Sequence, residues 1–225
     1  MDFEAFSEIV LRLFPDLTPS QMEQFRLMDG LYRDWNSKIN VISRKDIDSF
    51  YSHHVLHSLA IALYLRHEGL DFSGCSVLDL GTGGGFPGIP LAVMYPEARF
   101  TLCDSIGQKI KVASSVAQEL GLTNAECVNA RAESLGRTFD HVVSRAVTSL
   151  ENFYPWVKDS FRGSIFYLKG GDVDSETAAL TRKFRIGKDA IRTWRVDSVL
   201  EQEYFAEKFV IQIEKNYLCP PKSNN

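Results

Sequence analysis

No run of apolar residues in this 225-residue chain reaches the ~18 needed to cross a bilayer. No transmembrane helix is expected. The first residues, Met1-Asp2-Phe3-Glu4, are acidic and carry no apolar signal-peptide core. Cysteine is scarce: Cys75, Cys103, Cys127 and Cys219, with no C-x-x-C spacing. Cys103 and Cys127 fall in apolar, strand-like runs, which suits buried reduced thiols better than disulfides or zinc ligands. A cytoplasmic protein without a metal is the expectation. Internal repeats and low-complexity linkers are lacking too. So is any excess of positive charge: 25 Lys and Arg stand against 29 Asp and Glu, a net charge of −4. That balance argues weakly against nucleic acid as a partner, although local patches count for more than totals. What is present, at 44% hydrophobic residues, is enough for one full α/β domain and a small appendage.

The stretch that organises the chain is Val77 to Pro90. A short apolar run ends in Asp79. A glycine-dense turn and a proline-containing apolar segment follow. The order reads as strand, tight loop, helix, the place where a parallel α/β sheet takes a nucleotide-like ligand. The dinucleotide pattern G-x-G-x-x-G fails here, because its third position is Phe86, too large for the close helix–strand contact that a glycine permits. No G-K-[ST] ending follows, so this is not a phosphate-gripping loop. What fits is acid-x-G-x-G-x-G: Asp79, Gly81, Gly83, Gly85. This resembles the loop of class I methyltransferases that use S-adenosylmethionine. That ligand has a sulfonium and an ammonium and no phosphate, so an acid at the strand end suits it.

Before the loop the pattern is helical. Phe3, Phe6, Val10 and Leu13 share one face, and Pro15 stops the run. Thr18-Pro19-Ser20-Gln21 is a helix start, with a Thr cap, a proline at the first position and a Gln three residues after the cap. Phe25, Met28, Tyr32, Trp35 and Ile39 then repeat at helical spacing, read as core packing. Residues 46–68 predict one further helix, opened by Asp46 and closed by Gly69, with Ile47, Phe50, Tyr51, His54, Val55, Leu59 and Leu63 on its apolar face. Around its start lie Lys38, Arg44, Lys45, His53, His54 and His57. They are either a solvated face or an RNA-facing patch, and His54 is also a candidate core histidine. No cysteine or acid cluster joins the three histidines, so a metal site is not expected.

After the loop, strands and helices alternate. Val77–Leu80 is the first strand and Ile89–Tyr95 its helix. Arg99–Asp104 is the second strand. Asp104 lies 23 residues past Gly81, where nucleoside-binding folds place an acid for the ribose hydroxyls. The alternative for Asp104 is a helix cap. Gly107–Leu120 is a helix ended by Gly121. Ala125–Asn129 is the third strand, and Arg131-Ala132-Glu133 stands where an adenine would lie. Phe139–Ala146 is the fourth strand with its exit, Ser144-Arg145-Ala146. Ser164–Leu168 is the fifth, followed by Lys169, which either meets RNA phosphate or is simply solvated. Val173–Phe184 reads as helix. Ile191–Val199 and Phe209–Ile213 read as a closing antiparallel pair. The expected fold is therefore a class I, Rossmann-like α/β methyltransferase: a seven-stranded, mostly parallel sheet (73–218), an N-terminal helical extension (1–72) and a tail (219–225) expected to fray.

The fourth-strand exit faces the transferable methyl in such a fold. It is not the N/D-P-P-Y type used on exocyclic amines, and it has no cysteine to attack a pyrimidine. A target atom that is already nucleophilic needs only in-line placement, about 3 Å from the methyl. Guanine N7 is such an atom. Arg145 is the candidate catalytic residue, with a salt bridge at a strand end as the alternative.

Several segments together resemble a known family, the bacterial ribosomal RNA small subunit methyltransferase G, also called glucose-inhibited division protein B. They are Trp35-Asn36-x-x-Ile39-Asn40, His54-x-Leu56-x-Ser58-Leu59, Asp79 to Pro90, Thr101-Leu102-x-Asp104-Ser105, Arg131-Ala132-Glu133, Ser144-Arg145-Ala146 and Leu168-Lys169-Gly170. At positions 53 and 57 this chain has His where that family often has Arg and Asp. The resemblance implies methyl transfer to N7 of guanine 527 in the 530 loop of 16S rRNA, with the small ribosomal subunit as partner. It implies cofactor contacts at Gly81, Phe86, Ala132, Glu133 and Arg145. With the loop reading, the expected S-adenosylmethionine site is Asp79, Gly81, Gly83, Gly85, Phe86, Asp104, Ala132, Glu133 and Arg145. The expected RNA contacts are Lys38, Arg44, Lys45, His53, His54 and Lys169. Two other readings keep the loop and change the role: a methyltransferase for a small molecule or protein, or a non-catalytic ribosome-binding module with a relic pocket.

Overall fold

A computed structural model describes residues 1–215. The tail expected at 219–225 and residues 216–218 of the expected core lie outside them.

The N-terminal helices begin where their caps predict. α1 (Phe3–Leu13) is capped by Asp2, whose Oδ1 accepts from Ala5 N at 2.9 Å. α2 (Pro19–Lys38) opens on a capping box: Gln21 N donates to Thr18 Oγ1 and Thr18 N to Gln21 Oε1. Gln21 also donates to Val93 O at 2.8 Å, so one residue starts the helix and ties it to the core. Phe25, Met28 and Tyr32 are buried and Trp35 and Ile39 pack beside them, which makes the stripe core packing. Asn36 accepts from Val41 N and Ile42 N and donates to Ile42 O, folding the chain back after α2.

Residues 46–68 are helical but not one helix. A 3₁₀ turn (Ile47–Ser49) passes into a π-helical turn (Tyr51–Leu56), and only then into α3 (His57–Glu68). The π turn widens the spiral to i→i+5 bonding, a form frequent at functional sites. From His57 to Leu65 every residue of α3 is buried, the signature of a helix enclosed on all sides.

β1 (Ser76–Leu80), α4 (Gly88–Met94), β2 (Arg99–Asp104), α5 (Gly107–Glu119), β3 (Ala125–Asn129), β4 (His141–Arg145), α6 (Leu150–Val157), β5 (Ser164–Gly170), α7 (Val173–Phe184), β6 (Ile191–Arg195) and β7 (Lys208–Glu214) complete the order. The sheet runs β3-β2-β1-β4-β5-β7-β6. β1 to β5 pair in parallel, and β7 runs antiparallel to both β5 and β6. β6 stops at Arg195 and the expected strand residues Val196–Ser198 form a 3₁₀ turn. Alternation along a strand sends Phe166 and Leu168 to one apolar cluster, shared with α1 to α5, and Ile165 and Tyr167 to a second, shared with α6. The chain leaves β1 first toward β2 and β3, then returns to β4 on the other side. A crevice therefore opens at the carboxyl ends of β1 and β4.

Candidate active site

The glycine loop fills that crevice. Gly81 N and Thr82 N donate to Cys103 O, which hangs the loop on β2. Gly81 has φ 71° and Gly85 φ 115°, conformations an L side chain rarely adopts. Space is short as well: a Cβ on Gly85 would lie 2.4 Å from Ile89 Cδ1 and 2.8 Å from the Tyr32 hydroxyl, and one on Gly81 2.4 Å from Val147 Cγ2. The Tyr32 hydroxyl donates to Gly84 O at 2.8 Å, so the N-terminal extension clasps the loop from behind.

The two acids do different work. Asp104 Oδ2 accepts from Gly83 N and Oδ1 from Ile106 N, both at 2.9 Å. It holds the loop and turns the chain into α5 while lining the cleft in front. Asp79 is fully buried: Oδ2 accepts from Thr82 Oγ1 at 2.6 Å and Gly88 N at 2.7 Å, while Oδ1 has no partner. Burial pushes its pKa up to about 7, against the opposing hydrogen bonds of Thr82 and Gly88.

A cleft of about 550 Å³ lies in front of the loop. Gly81, Asp104, Ala132, Glu133 and Arg145, all expected as cofactor contacts, line it together. Gly83 sits on the loop above, half-exposed. Asp79 and Phe86 are instead buried beneath the loop, and Gly85 is buried within it; none of the three lines the cleft. The cleft also has walls that sequence reasoning missed: Ser105, Ile106 and Lys109 at the start of α5, Val147 after β4, and Trp156 on α6. Ile106 and Val147 are large apolar residues left exposed there, at 49% and 39%. An apolar, solvent-facing pair just after an acidic strand end and a strand exit was the available signal.

The cleft fits S-adenosylmethionine. The loop is too tight for any side chain at Gly81 or Gly85 and leaves its backbone in reach of a ligand. Among the cleft's lining residues are a carboxylate, Asp104, and an apolar pair, Ala132 and Ile106. No phosphate-binding element is present at the loop.

A second pocket, about 220 Å³, opens on the other side of β4's exit. Asp46, His53, His54, His57, Lys169, Tyr204 and Lys208 contribute to it, and it shares Arg145 and Ala146 with the first. Ala146 has φ 47°, rare for a residue with a Cβ. Arg145 is pinned: Nη1 donates to His53 O and Nη2 to His54 Nδ1, each at 3.2 Å, and the guanidinium lies 5.1 Å from the Phe86 ring centroid. Among the described residues no carboxylate bridges it, which speaks against the salt-bridge alternative.

The histidines are not a cationic patch. Burial and the Arg145 charge push His54 down to about 3, and burial holds His57 well below its usual range. Both are neutral at pH 7 and neither attracts phosphate. Since Arg145 only donates, His54 Nδ1 is its acceptor. His53 stacks on Tyr204, ring centroids 3.7 Å apart. Lys169 is neither free nor simply solvated: it pairs with Glu176 at 2.8 Å and donates to Thr148 O. Lys38 pairs with Asp34 at 2.7 Å. Arg44 and Lys45 stand exposed on the turn before Asp46. Among the described residues no group of three or more His, Cys, Asp or Glu could hold a metal ion, and no helix is long and apolar enough to cross a membrane.

Comparison with known proteins agrees with this geometry. The family model described as rRNA small subunit methyltransferase G matches residues 21–203. A Flavobacterium johnsoniae protein named ribosomal RNA small subunit methyltransferase G is 45% identical over 212 residues, covering 91% of this chain and 96% of its own. One of the same name from Porphyromonas gingivalis is 46% identical over 218 residues, covering 93% and 94%. Among solved structures, magnesium protoporphyrin IX methyltransferase from Synechocystis PCC 6803 with bound S-adenosylmethionine superposes with a TM-score of 0.60 at 14% identity, over 89% of this chain and 99% of that one. The 16S rRNA N2 G1207 methyltransferase of T. thermophilus, in complex with AdoMet and guanosine, gives 0.53 at 20% identity, over 79% and 44%. At such identities these structures establish the fold, that of the class I methyltransferases.

Proposed function

The chain belongs to the rRNA small subunit methyltransferase G family, and from that premise we propose that it transfers a methyl group from S-adenosylmethionine to N7 of a guanine in 16S rRNA, guanine 527 of the 530 loop. The observation that carries the reading is the meeting of two pockets at Arg145–Ala146. One suits the methyl donor; the other is smaller and lined by polar groups. A donor in the first and a base in the second face each other only at that junction.

The bound cofactor supplies an electrophilic methyl on a sulfonium. Everything else falls to this chain. The glycine loop holds the methionine end, Asp104 the ribose hydroxyls, and Ala132 and Glu133 the adenine edge. The guanine N7 lone pair forms the new N–CH₃ bond while the S–CH₃ bond breaks, its electron pair returning to sulfur. S-adenosylhomocysteine leaves as a neutral thioether, and the methylated base carries the positive charge. N7 has no proton to lose, so no general base is needed; the gain comes from alignment. Arg145, tied to the π turn and stacked on Phe86, fixes the wall between the pockets. Arg44 and Lys45 are free to meet phosphate, and the helical extension (1–72) carries them on the RNA side. The substrate places the enzyme in the cytoplasm, with the small ribosomal subunit as partner.

The test is incubation with methyl-labelled S-adenosylmethionine and either small subunits lacking the modification or a metabolite extract. Label is expected in 16S rRNA. Label confined to small molecules or protein overturns the reading.

A further inference from the structure

Guanine presents N7 and O6 on one edge and N1–H with N2–H₂ on the far side of the six-membered ring. If N7 faces Ala146, the N–H edge must be met by other groups of the 220 Å³ pocket. Those two donors call for an acceptor. Lys169 and Lys208 can only donate. The Tyr204 hydroxyl donates to His53 O, and His57 Nδ1 lies 3.1 Å from that same hydroxyl. His54 Nδ1 accepts from Arg145. The Nε2 atoms of His54 and His57 are buried out of solvent's reach. The one carboxylate among the described lining residues is Asp46.

Asp46 is held ready for such a role. Oδ2 accepts from Ser43 Oγ at 2.6 Å and Oδ1 contacts His53 Nδ1 at 3.2 Å. His53 is itself fixed by its stack on Tyr204. Two of the carboxylate's four acceptor positions remain open, and the side chain is 46% exposed. Arg44 and Lys45 precede it on the same turn, so the segment that offers cations to the RNA backbone also offers a carboxylate to the base.

We propose that the 220 Å³ pocket holds the target guanine with N7 toward Ala146, and that Asp46 reads its N1–H and N2–H₂ and so sets guanine specificity. This rests on the reading of the chain as a 16S rRNA guanine-N7 methyltransferase. Adenine places a lone pair at N1, which the carboxylate repels, and offers no amino group at C2. The same carboxylate meets the positive charge that spreads over the ring as N7 takes the methyl, so it acts in the transition state as well as in recognition. Tyr204 and His53 are positioning residues: they hold Asp46 and touch no reacting atom.

The experiment compares wild type with Asp46→Asn on small subunits reconstituted with 16S rRNA carrying either guanine or inosine at the target. Inosine lacks only the 2-amino group. Wild type is expected to lose about tenfold or more in kcat/KM on inosine, the scale of one good base contact. Asp46→Asn is expected to lose about tenfold or more on guanine and to treat the two bases alike within about twofold. The ratio is taken within one variant, so partial misfolding cancels, and unchanged S-adenosylmethionine affinity by calorimetry confirms an intact cofactor cleft. An Asp46→Asn enzyme that still discriminates guanine from inosine as wild type does overturns the proposal. A wild type that labels no 16S rRNA overturns instead the function on which it rests.

Discussion

Asp79→Asn tests the architecture of the loop through its pH dependence. Asp79 reaches no water, and its Oδ1 has no partner. Its pKa stands at about 7, against an ordinary 3.8. The folded protein thus holds this proton more tightly than the unfolded chain does. The resulting stability is full below about pH 4 and is lost as pH rises through about 7. A rise of about three units corresponds to about 4 kcal/mol across the whole range. About 2.5 kcal/mol of it falls between pH 5 and pH 8. Asparagine cannot ionise, and its carbonyl oxygen can still accept from Thr82 Oγ1 and Gly88 N. Its amide, standing where Oδ1 has no partner, leaves two buried N–H donors unpaired, a cost that does not vary with pH. Urea unfolding of both proteins from pH 5 to pH 8 reads the difference. The stability of Asp79→Asn relative to wild type should climb by about 2.5 kcal/mol over that interval. Parallel curves would refute the argument, because they would mean that Asp79 is ionised in the folded protein at pH 5.

Gly85→Ala should lower stability by about 2–4 kcal/mol and weaken S-adenosylmethionine binding, because the new methyl meets Ile89 and the Tyr32 hydroxyl at a backbone angle that L residues avoid; thermal unfolding and calorimetry read both, and a normal Tm would contradict it. Arg145→Lys should leave the melting temperature within about 3 °C of wild type yet cut kcat at least about tenfold, since one ammonium on a flexible stem cannot hold His53 O, His54 Nδ1 and the Phe86 face together. Wild-type turnover in that variant would show that the wall between the pockets needs no fixing.

The parallel core was legible because its signals are local. Val77–Leu80, Arg99–Asp104 and Ala125–Asn129 are apolar runs ending in turn residues, and Thr18-Pro19-Ser20-Gln21 announces α2 by capping chemistry alone. α6 was not legible. Pro155 sits inside it, Ser149 makes no capping bond, and its first amide, Leu150 N, is satisfied by Glu176 from α7. A cap supplied by a residue 26 positions away leaves no local trace. The π turn was hidden for a related reason: the 46–68 pattern of apolar residues is helical in general, and the groups that touch the turn, Arg145 and Tyr204, lie 91 to 151 residues further along the chain. At the site, spacing along the chain was enough to bring Gly81, Asp104, Ala132 and Glu133 to one cleft. That Asp79 and Phe86 lie beneath the loop could not be read from it, because spacing gives position along the chain and not the side of the backbone that is covered. The histidines misled by type. His53, His54 and His57 look like positive charge in a sequence, and burial beside Arg145 makes two of them neutral.

The central claim is that the two pockets meeting at Arg145–Ala146 bring a methyl donor to N7 of one guanine. The most direct measurement is to map modified nucleotides by mass spectrometry in 16S rRNA from cells with the gene, without it, and with the Arg145→Lys form. The account predicts one N7-methylguanine in the 530 loop that disappears without the gene and is strongly reduced with Arg145→Lys. Full methylation at that position in cells lacking the gene would contradict it.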